Sequence, residues 1–294
     1  MIVDRPHNAK GRRPALARAR KRSFKLGLRM YQRTRLARTR LRLRTPSWQG
    51  LRILGYHRVS DADHVLSVTP ENFRAHMEAI LASGATPIRL DAALDLLESQ
   101  VTGRYVCVTF DDGYRDNLEY AVPVLRELGI PATIFVATAV INGEADFHWF
   151  SEPPPALTWK EIAGMVAGGL VDVQAHTRTH PRLPAVDEQQ ARDEIAGAKR
   201  DIERHVPYTV TSFCYPAGLY GEREVALVRE AGYRAGVTTD PGVNAGGEPP
   251  YALRRTLIYG NDSKDDVVAK IAGLLDRPPL LRSWLYRRLS GTPK

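Results

Sequence analysis

The run Tyr105-Val106-Cys107-Val108-Thr109-Phe110-Asp111-Asp112-Gly113 is a short apolar segment that ends on two adjacent carboxylates and a glycine. A second run has the same design: Val171-Asp172-Val173-Gln174-Ala175 leads into His176-Thr177-Arg178-Thr179-His180. Short β-branched runs of this kind read as buried strands. Outward from these two, similar runs occupy 51–56, 87–90, 132–137, 211–215 and 235–238, with a weaker one at 252–257. Helical patterns fall between them, at 70–83, 91–99, 117–128, 158–167, 187–204 and 221–231. Thr158 with Glu161 forms a capping box, Thr69-Pro70 is a second helix start, and Gly129 and Gly232 mark helix ends. Strict alternation of strand and helix predicts an α/β fold on a parallel sheet, open or closed into a barrel. The segment 142–157, with Pro153-Pro154-Pro155, interrupts the alternation as an insertion loop beside the strand ends.

Charge divides the 294 residues unevenly. The first 50 hold 16 Lys/Arg against Asp4 alone, a charge of +15, whereas the rest carries 26 basic and 32 acidic residues. A basic arm, with Phe24, Leu28 and Tyr31 on one helical face, therefore precedes a mildly acidic domain. Overall, 43% hydrophobic and 26% charged residues is the composition of an ordinary globular protein. No run approaches the ~18 apolar residues of a membrane span. The Arg-rich start lacks a secretory apolar core, so a cytoplasmic location is expected. The two cysteines, Cys107 and Cys214, have no C-x-x-C spacing and exclude a thiolate zinc site. A disulfide between them stays open on sequence alone, but two buried free thiols is the plainer reading.

The two motif runs carry the chemistry. Neighbouring side chains on a strand point to opposite faces, so Asp111 and Asp112 converge only if the chain turns, as Gly113 permits. Two carboxylates held together repel, and a cation would offset the repulsion. Histidines four apart would sit ~13 Å apart in an extended chain but within about 6 Å in a helical turn. The spacing of His176 and His180 therefore predicts such a turn after the strand, ended by Pro181. Two histidines and a carboxylate make a zinc ligand set with open positions. Each motif alone has a plainer reading as a solvated loop; together they favour a metal site.

Taken in order, Thr109–Gly113 and His176–His180 resemble the first two motifs of the NodB-homology polysaccharide deacetylases, carbohydrate esterase family 4. The similarity runs over roughly 51–260. It includes Leu157-Thr158-Trp159, His180-Pro181-x-Leu183, Phe213-x-Tyr215-Pro216-x-Gly218, Ala231-Gly232-Tyr233 and Leu253-Arg254-Arg255. The resemblance implies a distorted (β/α)7 barrel over 51–276, flanked by the arm (1–50) and a basic amphipathic tail (277–294). It further implies one divalent ion, with zinc expected, on Asp112, His176 and His180, and Asp111 as general base. A backbone donor at Ala217 would face the oxyanion, and Tyr215, Pro216, Trp159 and Leu183 would shape the substrate site. The substrate class implied is an acetylated carbohydrate of a cell-surface polysaccharide or exopolysaccharide, N-acetyl or O-acetyl.

Relatives take their catalytic acid from a late Leu-x-His motif, yet no histidine follows His205 here. Leu54-Gly55-Tyr56-His57 resembles that motif moved to the front, as in members that process poly-N-acetylglucosamine, so His57 is the expected acid. Many relatives also orient the base by an arginine where this chain has Cys214, which leaves Arg254 or Arg255 to steady Asp111. Two other readings are a catalytically silent glycan-binding module and an amidohydrolase acting on a small non-sugar amide. His64, His76 and His205 read as surface residues. His148-Trp149-Phe150 either lines a sugar groove or packs the loop, and Trp159 also suits the core beneath the second motif. The arm and the stripe Leu281, Trp284, Leu285 and Leu289 suggest peripheral docking on the inner face of an anionic membrane. Nucleic acid is disfavoured, since no aromatic interleaving or reading motif accompanies the charge.

Overall fold

The computed structural model describes residues 48–276, except 148, 248 and 249. All but the last three residues of the expected arm, and the whole expected tail, lie outside the described residues. Among the described residues, seven parallel strands form the continuous path of the main sheet, with the short strand Thr86–Pro87 as an eighth beside it: β1 (Gly50–Tyr56), β2 (Arg104–Phe110), β3 (Ala132–Val136), β4 (Val171–Ala175), β5 (Ser212–Cys214), β6 (Ala235–Val237) and β7 (Arg255–Leu257). Their order is β7-β1-β2-β3-β4-β5-β6, so the last strand lies beside the first. In register, Leu54 stands opposite Val108 on β2 and Thr256 on β7. A parallel bridge between Val237 and Leu253, with Thr238 N donating to Leu253 O at 2.9 Å, nearly closes the ring. This is the (β/α)7 barrel that the alternation and the resemblance led one to expect.

Among the described residues the longer helices are α1 (Pro70–Ala82), α2 (Leu90–Leu97), α3 (Val122–Leu128), α4 (Trp159–Ala167), α5 (Glu188–Glu203), α6 (Glu222–Glu230) and α7 (Lys264–Ile271), with a single helical turn at Thr138–Ile141. Both expected caps form: Thr69 accepts from Asn72 N, and Thr158 with Glu161 makes the full box. Gly129 ends α3 in the left-handed conformation (φ 65°). The helix α7 escaped the sequence reading, although Ser263-x-x-Asp266 caps its start.

Alternation along the strands separates two packed layers. One set (Leu54, Tyr56, Val106, Val108, Phe110, Ile134 and Val173) packs under the surrounding helices. The other (Leu51, Ile53, Cys107, Phe135, Cys214 and Val237) shares a cluster with Leu90, Ala93, Leu94 and Leu97 of α2. Both cysteines are buried free thiols, as expected. Arg52 on β1 makes a two-pronged ion pair with Asp276 (2.9 and 3.2 Å), tying the end of the described chain to its start.

Three expectations need correction. The segment 87–90 is not a strand: only Thr86–Pro87 pairs with β2, and Leu90 opens α2 because its apolar residues recur at helical spacing. The segment 252–257 is a strand only over Arg255–Leu257, since Pro250–Ala252 forms a 3₁₀ turn. His76 is not on the surface: α1 buries it completely, its ring lying 3.1 Å from Asp262 O and 3.5 Å from Tyr56 Oη.

Closure at the seam demands a close approach at Gly236 on β6. A Cβ there would stand 2.6 Å from both Tyr215 Oη and Tyr251 O. Gly236→Ala is expected to lower stability by about 1–3 kcal/mol, read from the midpoint of urea unfolding. An unchanged midpoint would contradict the tight seam.

Candidate active site

Because all seven strands run the same way, their carboxyl ends share one rim, where the chemistry of such barrels collects. Asp111 and Asp112 follow β2, His176 and His180 follow β4, Ala217 follows β5 and His57 follows β1. Arg255 opens β7.

The turn after β2 is sharp: Asp112 has φ 76° and Gly113 φ 83°. A Cβ on Gly113 would come within 2.9 Å of Val136 Cγ1, so glycine is required for space as well as conformation. Through this turn both carboxylates reach the rim, buried at 3% and 1% exposure.

The segment after β4 turns, but not as the helical turn that the histidine spacing suggested. Thr177 and His180 are left-handed (φ 65° and 57°), which folds the segment back irregularly. Glu194 on α5 holds this shape by accepting from Arg178 N and Thr179 N, both at 2.8 Å, and from Thr179 Oγ1 at 2.5 Å. The result still serves: the two imidazole centroids are 4.7 Å apart.

Asp112 Oδ1 lies 3.7 Å from His176 Nε2 and 3.6 Å from His180 Nε2. Atoms each ~2 Å from one ion in a tetrahedral shell would sit about 3.3 Å apart. Asp112 Oδ1 is also buried without a hydrogen-bond donor, and burial raises its carboxyl above the ordinary range. His176 Nδ1 is 2.7 Å from Cys214 O. A carbonyl can only accept, so Nδ1 carries the proton and Nε2 presents its lone pair toward Asp112. The donor set therefore fits a divalent ion.

Asp111 faces a different partner. Arg255 grips it by two bonds, Nη1 to Oδ1 at 2.6 Å and Nη2 to Oδ2 at 2.7 Å. Burial would raise the Asp111 carboxyl, but the Arg255 guanidinium overrides it and holds the group well below the usual carboxylate range. Of the two arginines considered from sequence, Arg255 makes the contact. His57 Nε2 lies 3.8 Å from Asp111 Oδ2, and its backbone carbonyl accepts from Asn117 Nδ2 at 2.8 Å. Ala217 is left-handed (φ 55°) and exposed on the loop after β5.

The other motif residues are placed more deeply. Leu183 and Tyr215 have no exposed surface, Pro216 is buried, and Tyr215 Oη donates to Tyr251 O at 2.9 Å. Trp159 is half-buried, donating to Asn142 Oδ1 at 2.7 Å and stacking on the exposed His205. The sequence reading missed Glu194 and the pair Arg58–Asp116 (2.7 Å), whose positions carry no motif. It left Trp149 undecided; the ring packs 4.7 Å from that of His180, so the insertion does border the site. His148 lies outside the described residues.

The comparisons with known proteins agree with this geometry. A family model described as polysaccharide deacetylase matches residues 98–236. A Bacillus subtilis protein named as a polysaccharide deacetylase, YxkH, is 32% identical over 210 residues, 71% of each chain. The chain belongs to the polysaccharide deacetylase family. It is thereby a hydrolase of the deacetylase class. A Staphylococcus epidermidis poly-β-1,6-N-acetyl-D-glucosamine N-deacetylase is 25% identical over 244 residues, covering 75% of this chain and 82% of its own. Among solved structures, IcaB from Ammonifex degensii superposes with a TM-score of 0.65 at 26% identity, over 77% of this chain and 98% of that one. A polysaccharide deacetylase from Bacillus cereus gives 0.64 at 28% identity, over 76% and 69%. Deacetylases of this family are metal-dependent.

The burial of His176 has a measurable consequence. Burial lowers its imidazole from the ordinary value to about 4. In metal-free protein, imidazole NMR should show His176 neutral and Nδ1-protonated down to about pH 4. A midpoint at 6.5 or above would contradict the buried, carbonyl-bonded ring.

Proposed function

We propose that this protein removes N-acetyl groups from an N-acetylhexosamine polymer, with one divalent ion, zinc by expectation, on Asp112, His176 and His180. The observation that carries this reading is the donor triad at 3.6–3.7 Å with an ionised, arginine-gripped carboxylate beside it. The metal, when bound, supplies Lewis acidity toward the acetyl carbonyl and acidifies a water. Asp111 takes the proton of the attacking water, and the Ala217 N–H faces the oxyanion that forms at the carbonyl. An amine leaves poorly as an anion, so His57, whose Nε2 lies 3.8 Å from Asp111 Oδ2, hands a proton to the departing nitrogen. N-acetyl rather than O-acetyl substrates are favoured by the relative named for poly-β-1,6-N-acetyl-D-glucosamine. A merely glycan-binding role would leave the full set of ligands, base and acid without a use.

Acetate release from N-acetylglucosamine oligomers, followed with and without chelator, tests the reading. Activity should vanish with chelator and return on adding zinc. Asp112→Ala should abolish both activity and stoichiometric metal uptake, and His57→Asn should lower kcat by about 10²–10⁴ while leaving metal content unchanged. Acetate release that persists in chelator would refute the metal assignment.

The +15 charge of residues 1–50 supports a further part of the proposal, docking on an anionic membrane surface at its inner face. No helix among the described residues is long and apolar enough to cross a membrane. Full-length protein should co-sediment with phosphatidylserine vesicles at low salt, and a 51–276 fragment should not. Equal binding of the two would rule the arm and tail out as anchors.

A further inference from the structure

We propose that Asp116 and Asn117 are positioning residues for the catalytic acid, holding the backbone around His57 so that its imidazole keeps its place beside Asp111. The inference rests on the reading of His57 as the acid, and through that histidine the pair sets the preference for amides over esters.

Both residues lie just past the turn that carries Asp111 and Asp112, and both are buried, at 8% and 0% exposure. Between them they hold three consecutive residues after β1. Asn117 Nδ2 donates to His57 O (2.8 Å), Asp116 Oδ2 accepts from Arg58 Nε (2.7 Å) and Asp116 Oδ1 accepts from Val59 N (3.3 Å). Asn117 Nδ2 also donates to Asp116 Oδ1 (3.2 Å), so the two side chains brace each other. One residue earlier, Asp111 N donates to Tyr56 O (3.0 Å). Every residue from 56 to 59 is thus tied to the segment that supplies the base.

The imidazole itself has no comparable brace. Its Nδ1 is buried with no hydrogen-bond partner among the described residues, and Nε2 faces Asp111 Oδ2 at 3.8 Å. Where the ring stands therefore follows from where its backbone is held.

The chain is bent locally to reach that backbone. The sequence pattern predicts one helix over 117–128, but Pro123 has no N–H for Glu119 O and its ring would crowd that carbonyl. A wide turn, Asn117–Ala121, forms instead, in which Val122 N donates to Asn117 O five residues back. Asn117 heads this turn, its own N–H bonded to Tyr114 O (3.1 Å). Both neighbours of its Nδ2 are acceptors, which fixes the amide orientation and leaves Oδ1 buried with no donor among the described residues. A leucine would fill the same space with no unmet acceptor. Packing alone does not account for the asparagine.

These bonds could instead serve only to pin the loop, so the test must read the acid step itself. Asn117→Ala, Asn117→Leu, Asp116→Asn, His57→Asn and the double variant Asn117→Leu/His57→Asn are compared with wild type as full-length, zinc-loaded protein. Turnover is measured on N-acetylglucosamine oligomers and on 4-nitrophenyl acetate, whose phenolate departs without a proton, together with zinc content and melting temperature. Both Asn117 variants should lower amide kcat about 10–100-fold at wild-type zinc content. They and Asp116→Asn should lower the ratio of amide to ester turnover by more than about threefold. The double variant should be no slower on the amide than His57→Asn, because both changes act through one group. Folded, zinc-loaded Asn117 variants whose ratio stays within about threefold of wild type would overturn the proposal. So would additive losses in the double variant. Should neither Asn117 variant fold, Asp116→Asn decides by the same ratio, and if wild type leaves the ester untouched, the double variant decides. Wild-type protein that releases no acetate from either substrate would instead strike the proposed function.

Discussion

Two carboxylates that follow one another in the chain are both brought out of water at the barrel mouth, and the surrounding architecture answers that electrostatic problem. Neither could remain ionised there by itself, because burial disfavours the charged form and each repels the other. Asp111 is satisfied by a guanidinium that approaches through the barrel interior. Asp112 is turned away from it by its own left-handed backbone and the glycine after it, toward the Nε2 atoms of His176 and His180, the former with its lone pair directed at it. The same repulsion would be offset by a cation placed between Asp112 and the histidines. Adjacent residues thus acquire opposite characters, one a carboxylate kept ionised by arginine, the other a carboxylate whose burial raises its pKa.

The parallel sheet is what allows such separation within a few ångströms. Each strand delivers one or two residues to a common rim, and the loops beyond the rim fix their orientation. Glu194 shapes the histidine segment from α5, Asn117 holds the His57 carbonyl, and Cys214 contributes its backbone oxygen to His176 and its sulfur to Arg255. Cys214 therefore acts on both halves of the site at once. Its thiol stays protonated, since burial raises it well above its ordinary value. Two buried thiols with no disulfide leave the mouth without a covalent brace, so packing and these polar bonds carry its geometry.

Much of this was legible in the amino-acid sequence because it depends on local pattern. Strand–helix alternation, the Thr158–Glu161 capping box and the glycine after Asp112 each have a short-range physical cause, and each appears in the structure. The misreadings share a different origin. Thr86–Pro87 and Arg255–Leu257 are strands too short for periodicity to register, and Leu90 was counted with the wrong element. The irregular turn at His176–His180 depends on Glu194, fourteen residues beyond His180 and on another element, so spacing alone suggested a helix. His76 lies in a polar stretch of sequence, yet the packing of α1 places it against Asp262, nearly two hundred residues away. Arg255 was one of two arginines side by side, and only strand alternation in three dimensions decides which one turns inward.

The seam at β1 and β7 has an evolutionary reading. Arg52, near the first of the described residues, and Asp276, the last of them, are in direct contact, and β1, which leads into His57, runs beside β7, which starts at Arg255. The order in which the segments are encoded is therefore uncoupled from their order around the mouth. A gene whose first strand had been transferred to its end, or the reverse, would assemble the same ring of functional groups. The histidine at the front of this chain can occupy the same place in space as one encoded at the back of another.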